Sequence, residues 1–113
     1  MATEGGKSMQ TRMENNTLIF CFSGEMDHCS IMKMKPEIIE KIDEVKCPSV
    51  KFDFSEVSFI DSTGIGFILG RYNQISAYQG QLILTGGNQS VRKLFALSGL
   101  FKIMRYEIRE EQS

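Results

Sequence analysis

Ser62 stands in the run Phe59-Ile60-Asp61-Ser62-Thr63-Gly64, between an apolar stretch, Val50-Lys51-Phe52-Asp53-Phe54, and a glycine-spotted one from Ile65 to Ile75. A strand turning into a helix here leaves the Ser62 hydroxyl at a helix N-terminus. Unpaired N–H groups and the helix dipole make that a favourable place for a phosphate. The chemistry on offer is that of a phosphoacceptor or a nucleophile. A plainer use is helix capping, for which Asp and Ser are preferred. A hydrolase would need a base and an orienting group beside the nucleophile. The single histidine, His28, has only its chain neighbour Asp27 as a nearby acid in sequence, and Ile60 stands where G-x-S-x-G needs glycine. Thr63 likewise breaks the D-[ST]-G triplet of aspartic proteases. Ser62 therefore reads as a residue acted upon.

Three glycines follow it: Gly64, Gly66 and Gly70. Each glycine inside a helix costs about 0.8–1 kcal/mol against alanine, so backbone is expected to approach something closely. That something is either the sheet beneath or a partner above. With Ile65, Ile68, Leu69, Tyr72 and Ile75 on the buried face, Phe67 and Arg71 are expected toward solvent, beside bare backbone, as a protein-docking patch. The spacing G-x-G-x-x-x-G is one residue too long for a dinucleotide fingerprint, no acid from 62 to 106 could hold a ribose, and no P-loop is present. A second candidate is the loop 24–28, with Glu25, Asp27 and His28. Loops after strands gather at one edge of a parallel sheet, which would bring it beside Ser62 as a partner-contact surface. As a plain solvated loop it would need no function.

The elements that must position these residues are legible in outline. Met9 to Met13 and Leu18 to Phe22 read as a hairpin closed by Asn15-Asn16, with Ser23-Gly24 ending it. Ser30 is a candidate cap for a helix whose face is Ile38, Ile39, Ile42 and Val45, and Pro36 is expected to kink it or mark its regular start. Ser49 to Phe54 is a buried strand, the helix after Ser62 follows, and Gln81 to Thr85 is another strand. A third helix is faced by Val91, Leu94 and Phe95 and closed by Gly99, and Ile103 to Ile108 reads as a last strand. This alternation implies an α/β fold with parallel crossovers.

Composition narrows the partners. At 113 residues the chain suits a single domain, and no apolar run approaches the roughly 18 residues of a membrane span. The first residues lack the apolar region of a secretory signal, so a cytoplasmic protein is expected. Cys21, Cys29 and Cys47 are odd in number and unpaired in spacing, reading as reduced small hydrophobes. A zinc site would need all three with His28, without any C-x-x-C clamp, so no metal and no cofactor is expected. Charge is uneven: residues 1–61 hold seven Lys/Arg against eleven Asp/Glu, while 62–106 hold five cations and no acid. Five dispersed cations without aromatic platforms do not describe a nucleic-acid binder, and a protein partner with an acidic face suits them better.

Four segments in order carry a family resemblance: Gly24-Glu25-Met26-Asp27-His28, then Ser58-Phe59-Ile60-Asp61-Ser62-Thr63-Gly64-Ile65-Gly66, then Gly70-Arg71-Tyr72, then Ser98-Gly99-Leu100-Phe101-Lys102-Ile103. Over about residues 9–108 the chain resembles the STAS-domain anti-anti-sigma factors. The resemblance implies a mixed four- to five-stranded sheet with helices packed largely on one face, a single domain over 9–113; the small, polar residues 1–8 before it read as a flexible tail. It implies that Ser62 is phosphorylated by an anti-sigma factor that is itself an ATP-dependent serine kinase, and that a serine phosphatase reverses this. The unphosphorylated form would bind the anti-sigma factor and release the sigma factor. Glu25, Asp27, His28, Asp61, Thr63, Gly64, Gly66, Phe67 and Arg71 would form the docking face. Pro36 departs from the family's continuous first helix, and such antagonists carry a further helix beyond the point where this sequence stops. Sporulation and stress-response antagonists share the same D-S-[ST]-G turn. The competing reading is a ligand-binding or scaffold domain of the same fold without phosphorylation, with a serine hydrolase as a third.

Overall fold

The computed structural model describes residues 9–108; residues 1–8, expected as a flexible tail, and 109–113 lie outside the described residues. The elements run β1 (Met9–Glu14), β2 (Thr17–Met26), α1 (His28–Val45), β3 (Ser49–Ile60), α2 (Ser62–Ser76), β4 (Gln81–Thr85), α3 (Gln89–Leu97), α4 (Leu100–Ile103) and β5 (Arg105–Glu107). The five strands lie in chain order, β1 antiparallel to β2 and the rest parallel. Asn15 and Asn16 close the β1–β2 hairpin with φ of 50° and 63°. Two left-handed residues are what a tight hairpin turn demands, and asparagine tolerates them.

Period-2 alternation sorts the sheet into two faces. Leu18, Phe20 and Phe22 of β2, Val50, Phe52 and Phe54 of β3, and Leu82 and Leu84 of β4 form the core with Ile31, Ile38 and Ile42 of α1, Ile68 and Ile75 of α2, and Val91 and Phe95 of α3. The helices thus share one face of a mixed sheet. The phenylalanines pack edge to face, Phe22 and Phe52 with ring centroids 5.1 Å apart and Phe54 and Phe95 likewise 5.1 Å apart. On the other face Ile19 and Ile83 are buried as well. Longer polar side chains share that face, including Lys51, which pairs with Glu107 at 2.9 Å.

Several expectations need correction. The chain does not leave the sheet at Ser23-Gly24: β2 continues to Met26, with register shifts between Cys21/Ser23 and Gly24/Glu25. Gly24 at φ 78° is part of that irregularity, which bends the strand without ending it. β3 likewise runs to Ile60, well beyond Phe54, where polar Ser55, Glu56 and Ser58 interrupt the apolar pattern. Asp27, not Ser30, caps α1, and the helix runs without interruption through Pro36. Val45, its last residue, is 39% exposed instead of buried. The last strand is shorter than expected, because Leu100–Ile103 forms a helical turn first. Gly99, at φ 79°, makes the left-handed link between α3 and that turn.

Candidate functional site

Met26 and Ile60 are register partners at the carboxyl end of β2 and β3. Each strand is followed by one aspartate and then a helix, so Asp27–His28 and Asp61–Ser62 are equivalent positions on neighbouring strands. The Asp61 carboxylate accepts hydrogen bonds from Thr63 N at 3.0 Å and Gly64 N at 3.3 Å. That of Asp27 accepts from Ser30 N at 3.0 Å and Ser30 Oγ at 2.9 Å. These bonds from Ser30 stabilise the ionised form and hold the Asp27 pKa below the usual carboxylate value. Ser30 Oγ is also within hydrogen-bonding reach of Glu25 O, so its single proton is shared between the Asp27 carboxylate and the end of β2.

This settles what caps α2. Asp61 does, so Ser62 is the first helical residue, and it is exposed. Packed helices lie about 8–10 Å apart, so two positive helix ends converge near that hydroxyl. Glu25 and His28 are exposed at the same edge, with Thr63 half-buried. The strand pairing that extends β2 and β3 is therefore what brings the 24–28 segment to Ser62. His28 belongs to the helix and Glu25 to the strand, so the segment is not a loop.

The three glycines of α2 have two different reasons. A methyl group built on Gly64 would collide with the side chain of Ile60 and lie 3.3 Å from Met26 O. Only glycine lets the start of α2 sit this close to β2 and β3. Gly66 and Gly70 meet nothing within 4 Å, so no packing on the sheet requires them. With Ser62, Gly66 and Gly70 spaced four apart, bare backbone continues along the helix from the hydroxyl.

Phe67 does not face solvent. It is 4% exposed, with its ring stacked on Phe52 at 5.9 Å and edge-on to Phe22 at 6.3 Å. Hydrophobic burial overrides the face assigned to it: the buried arc near the start of α2 runs through Phe67, Gly64, Ile68 and Ile65, and so takes in Phe67. Arg71 follows it inward: its guanidinium lies 5.3 Å from the Phe67 ring centroid, and Nε and Nη1 are buried without a partner among the described residues. Burial lowers its pKa, with Asp43 of α1 opposing the shift. Gln74 completes the α1–α2 seam, donating to Ile39 O at 3.0 Å and Asp43 Oδ1 at 2.9 Å.

Two other apolar residues near these strand ends are exposed. Phe59, beside Glu25 in the β2–β3 register, is 49% exposed, and Met32, one turn into α1 from His28, is 55% exposed. Counting helical positions from Asp27 would have placed Met32 off the Ile31–Met34–Ile38–Ile42 face. Phe59 carried no such signal, since its orientation depends on the register shifts. The cysteines are dispersed: Cys47 is buried and donates to Asn16 O at 2.9 Å, Cys21 accepts from Arg12 Nη1 at 3.2 Å, and Cys29 is exposed. No group of three metal-ligating side chains occurs among the described residues.

The model of the STAS domain matches residues 8–112. An anti-sigma F factor antagonist of Paenibacillus polymyxa is 35% identical over 99 residues, covering 86% of this chain and 85% of the relative. An anti-sigma-B factor antagonist of Listeria monocytogenes is 32% identical over 82 residues, 73% of this chain and 71% of the relative. Among solved structures, the anti-sigma factor antagonist SpoIIAA in its unphosphorylated form superposes with a TM-score of 0.79 at 30% identity, covering 91% of this chain and 89% of that one. The phosphorylated form of the Bacillus SpoIIAA does so with a TM-score of 0.73 at 29% identity, covering 91% and 92%.

Proposed function

The chain belongs to the STAS domain family, and we propose that it is an anti-sigma factor antagonist switched off by phosphorylation of Ser62. One observation carries this reading. Ser62 is an exposed hydroxyl at the first position of a helix already capped by Asp61, with uncovered glycine backbone running away from it. The relatives are named as antagonists of anti-sigma factors, and SpoIIAA has been solved with and without phosphate.

In the unphosphorylated state the anti-sigma factor docks over the edge formed by Glu25, His28, Phe59, Ser62, Thr63 and Gly66, and its hold on the sigma factor is released. The same partner, as an ATP-dependent serine kinase, transfers a phosphoryl group to Ser62 Oγ, and a serine phosphatase removes it. The phosphate adds about −1.5 to −2 charges at a surface that must come into contact. Two helix N-termini stabilise that charge within the protein, while Asp61, Asp27 and Glu25 add to the negative field presented to the partner. The chain is a substrate in this cycle, not a catalyst. Asp27, Asp61 and Gly64 serve it as scaffold, and Phe67 and Arg71 as the floor beneath the docking surface.

Incubation with the partner kinase and ATP, followed by intact mass measurement of wild type and Ser62→Ala, tests the switch. The expected result is one phosphoryl addition, absent in Ser62→Ala. Equal addition in both proteins rejects Ser62 as the acceptor. No addition to either, with binding to the anti-sigma factor intact, favours a scaffold domain without phosphorylation.

A further inference from the structure

His28 and Ser62 are the first residues of α1 and α2, each one step beyond a capping aspartate, and both are exposed. The strands that lead into them end in register, Met26 beside Ile60. Adjacent strands lie about 4.7–4.9 Å apart and packed helices about 8–10 Å apart, so the two positions stand side by side. Gly64 fixes the approach from the α2 side: a methyl group built on it would lie 3.3 Å from the carbonyl oxygen of Met26, two residues before His28. The face of α1 that meets α2 is marked by Gln74, which donates to Ile39 O at 3.0 Å and Asp43 Oδ1 at 2.9 Å. Counted back from Ile39 at 3.6 residues per turn, His28 stands about three turns earlier on that same face.

The other titratable groups at this edge are acids and one thiol. Glu25 is near the end of β2, Asp27 and Asp61 cap the two helices, and Cys29 is exposed beside His28. The first turn of α1 and the first two turns of α2 hold no lysine or arginine; Lys33 and Lys35 stand more than a turn further along α1. Only His28 can therefore bring positive charge to the start of either helix. Its ring is not committed elsewhere. Asp27 is held by Ser30, whose bonds are the main cause of its lowered pKa, and the charge of His28 is the smallest contribution. Among the described residues no hydrogen bond or ion pair engages the His28 side chain.

We propose that His28 is the positioning residue of the switched-off state: as imidazolium it donates a hydrogen bond to a phosphate on Ser62 and holds that group across the start of α1. The pairing rests on Ser62 being the phosphoacceptor. A serine hydroxyl is too short to reach a neighbouring helix, whereas a phosphoserine and a histidine extending from the two adjacent positions close the gap. Both groups change charge near neutral pH, the phosphate with a second ionisation at about 6. Each ionised form favours the other, so the pair titrates as a unit. The phosphate is thereby fixed over part of the edge where the partner docks, which turns an added charge into an obstruction of set position.

A phosphorus NMR titration of the full chain reads the pair directly. Phosphoserine is installed at position 62 during translation, so the measurement needs no kinase and stays separate from the mass experiment on Ser62→Ala. With His28 present, the phosphate should lose its second proton about 0.5–1 pH unit lower than in His28→Gln. The gap should narrow in about 1 M salt, where the Debye length is about 3 Å. The helix ends, Asp27 and Asp61 are the same in both proteins, so the difference belongs to His28. His28→Lys keeps a cation at the position and should bring the midpoint back below that of His28→Gln. Circular dichroism verifies folding, and His28→Asn serves in place of His28→Gln should that variant misfold. Equal midpoints with and without His28 overturn the assignment. So does a His28→Lys midpoint no lower than that of His28→Gln. If the titration fails while the mass experiment succeeds, the switch stands and His28 alone is removed from it.

Discussion

Gly64 and Gly66 sit two positions apart in the first turns of one helix and answer to opposite surroundings. Gly64 is held between Ile60 and the backbone of Met26, where a methyl group has no room. Gly64→Ala should therefore push α2 off the strand ends and cost about 1–3 kcal/mol of stability. Gly66 faces open space, so Gly66→Ala should stabilise the free protein by up to about 0.8–1 kcal/mol through helix propensity alone. The same methyl would intrude on a docked partner and weaken binding. Chemical denaturation together with titration of the anti-sigma factor separates the two, and a Gly66→Ala variant that binds at full strength would remove Gly66 from the docking face. The spacing of the three glycines was readable in the sequence. Which of them served packing was not, because that depends on how tightly α2 turns back against Ile60 and, beyond it, the Met26 carbonyl of another strand.

At the scale of elements, α1 shows what the flanking sequence overrides. Pro36 lies in the interior of an 18-residue helix, where proline removes one backbone hydrogen bond and costs about 3 kcal/mol relative to alanine. The helix runs on because Ile31, Met34, Ile38 and Ile42 are buried on both sides of it. Cooperative burial of that face outweighs a local penalty. Pro36 is exposed, so Pro36→Ala should restore the missing bond without opening a cavity and raise stability by about 1–3 kcal/mol. A thermal melt that falls, or does not move, would mean the helix has adapted around the proline so fully that the bond cannot re-form. The unexpected length of β2 and β3 belongs to the same scale. Their register shifts let polar residues continue the ladder beyond the apolar run, and alternation gives no warning of it.

At the scale of the molecule, the site is a consequence of topology. Parallel strands that end in register, Met26 beside Ile60, place Asp27 and Asp61 at the same edge, and the helices that follow turn their positive ends toward Ser62. Phosphorylation should accordingly leave the fold intact. The phosphorylated chain is expected to keep its far-ultraviolet circular dichroism and to melt within a few degrees of the unmodified one. A large loss of either would mean that the switch works by unfolding and not at the docking surface. The sequence by itself determined the α/β alternation, the hairpin at Asn15-Asn16, the Asp61-Ser62 turn and the separation of charge, since each is a local property of residue type and period. Only the tertiary structure decided that Phe59 turns outward, through the register shifts of β2 and β3, that Phe67 and Arg71 turn inward, and that Gly66 lies open while Gly64 does not. Those outcomes depend on how closely α2 approaches two strands from elsewhere in the chain. That distance is fixed by packing across the sheet, which no local pattern encodes.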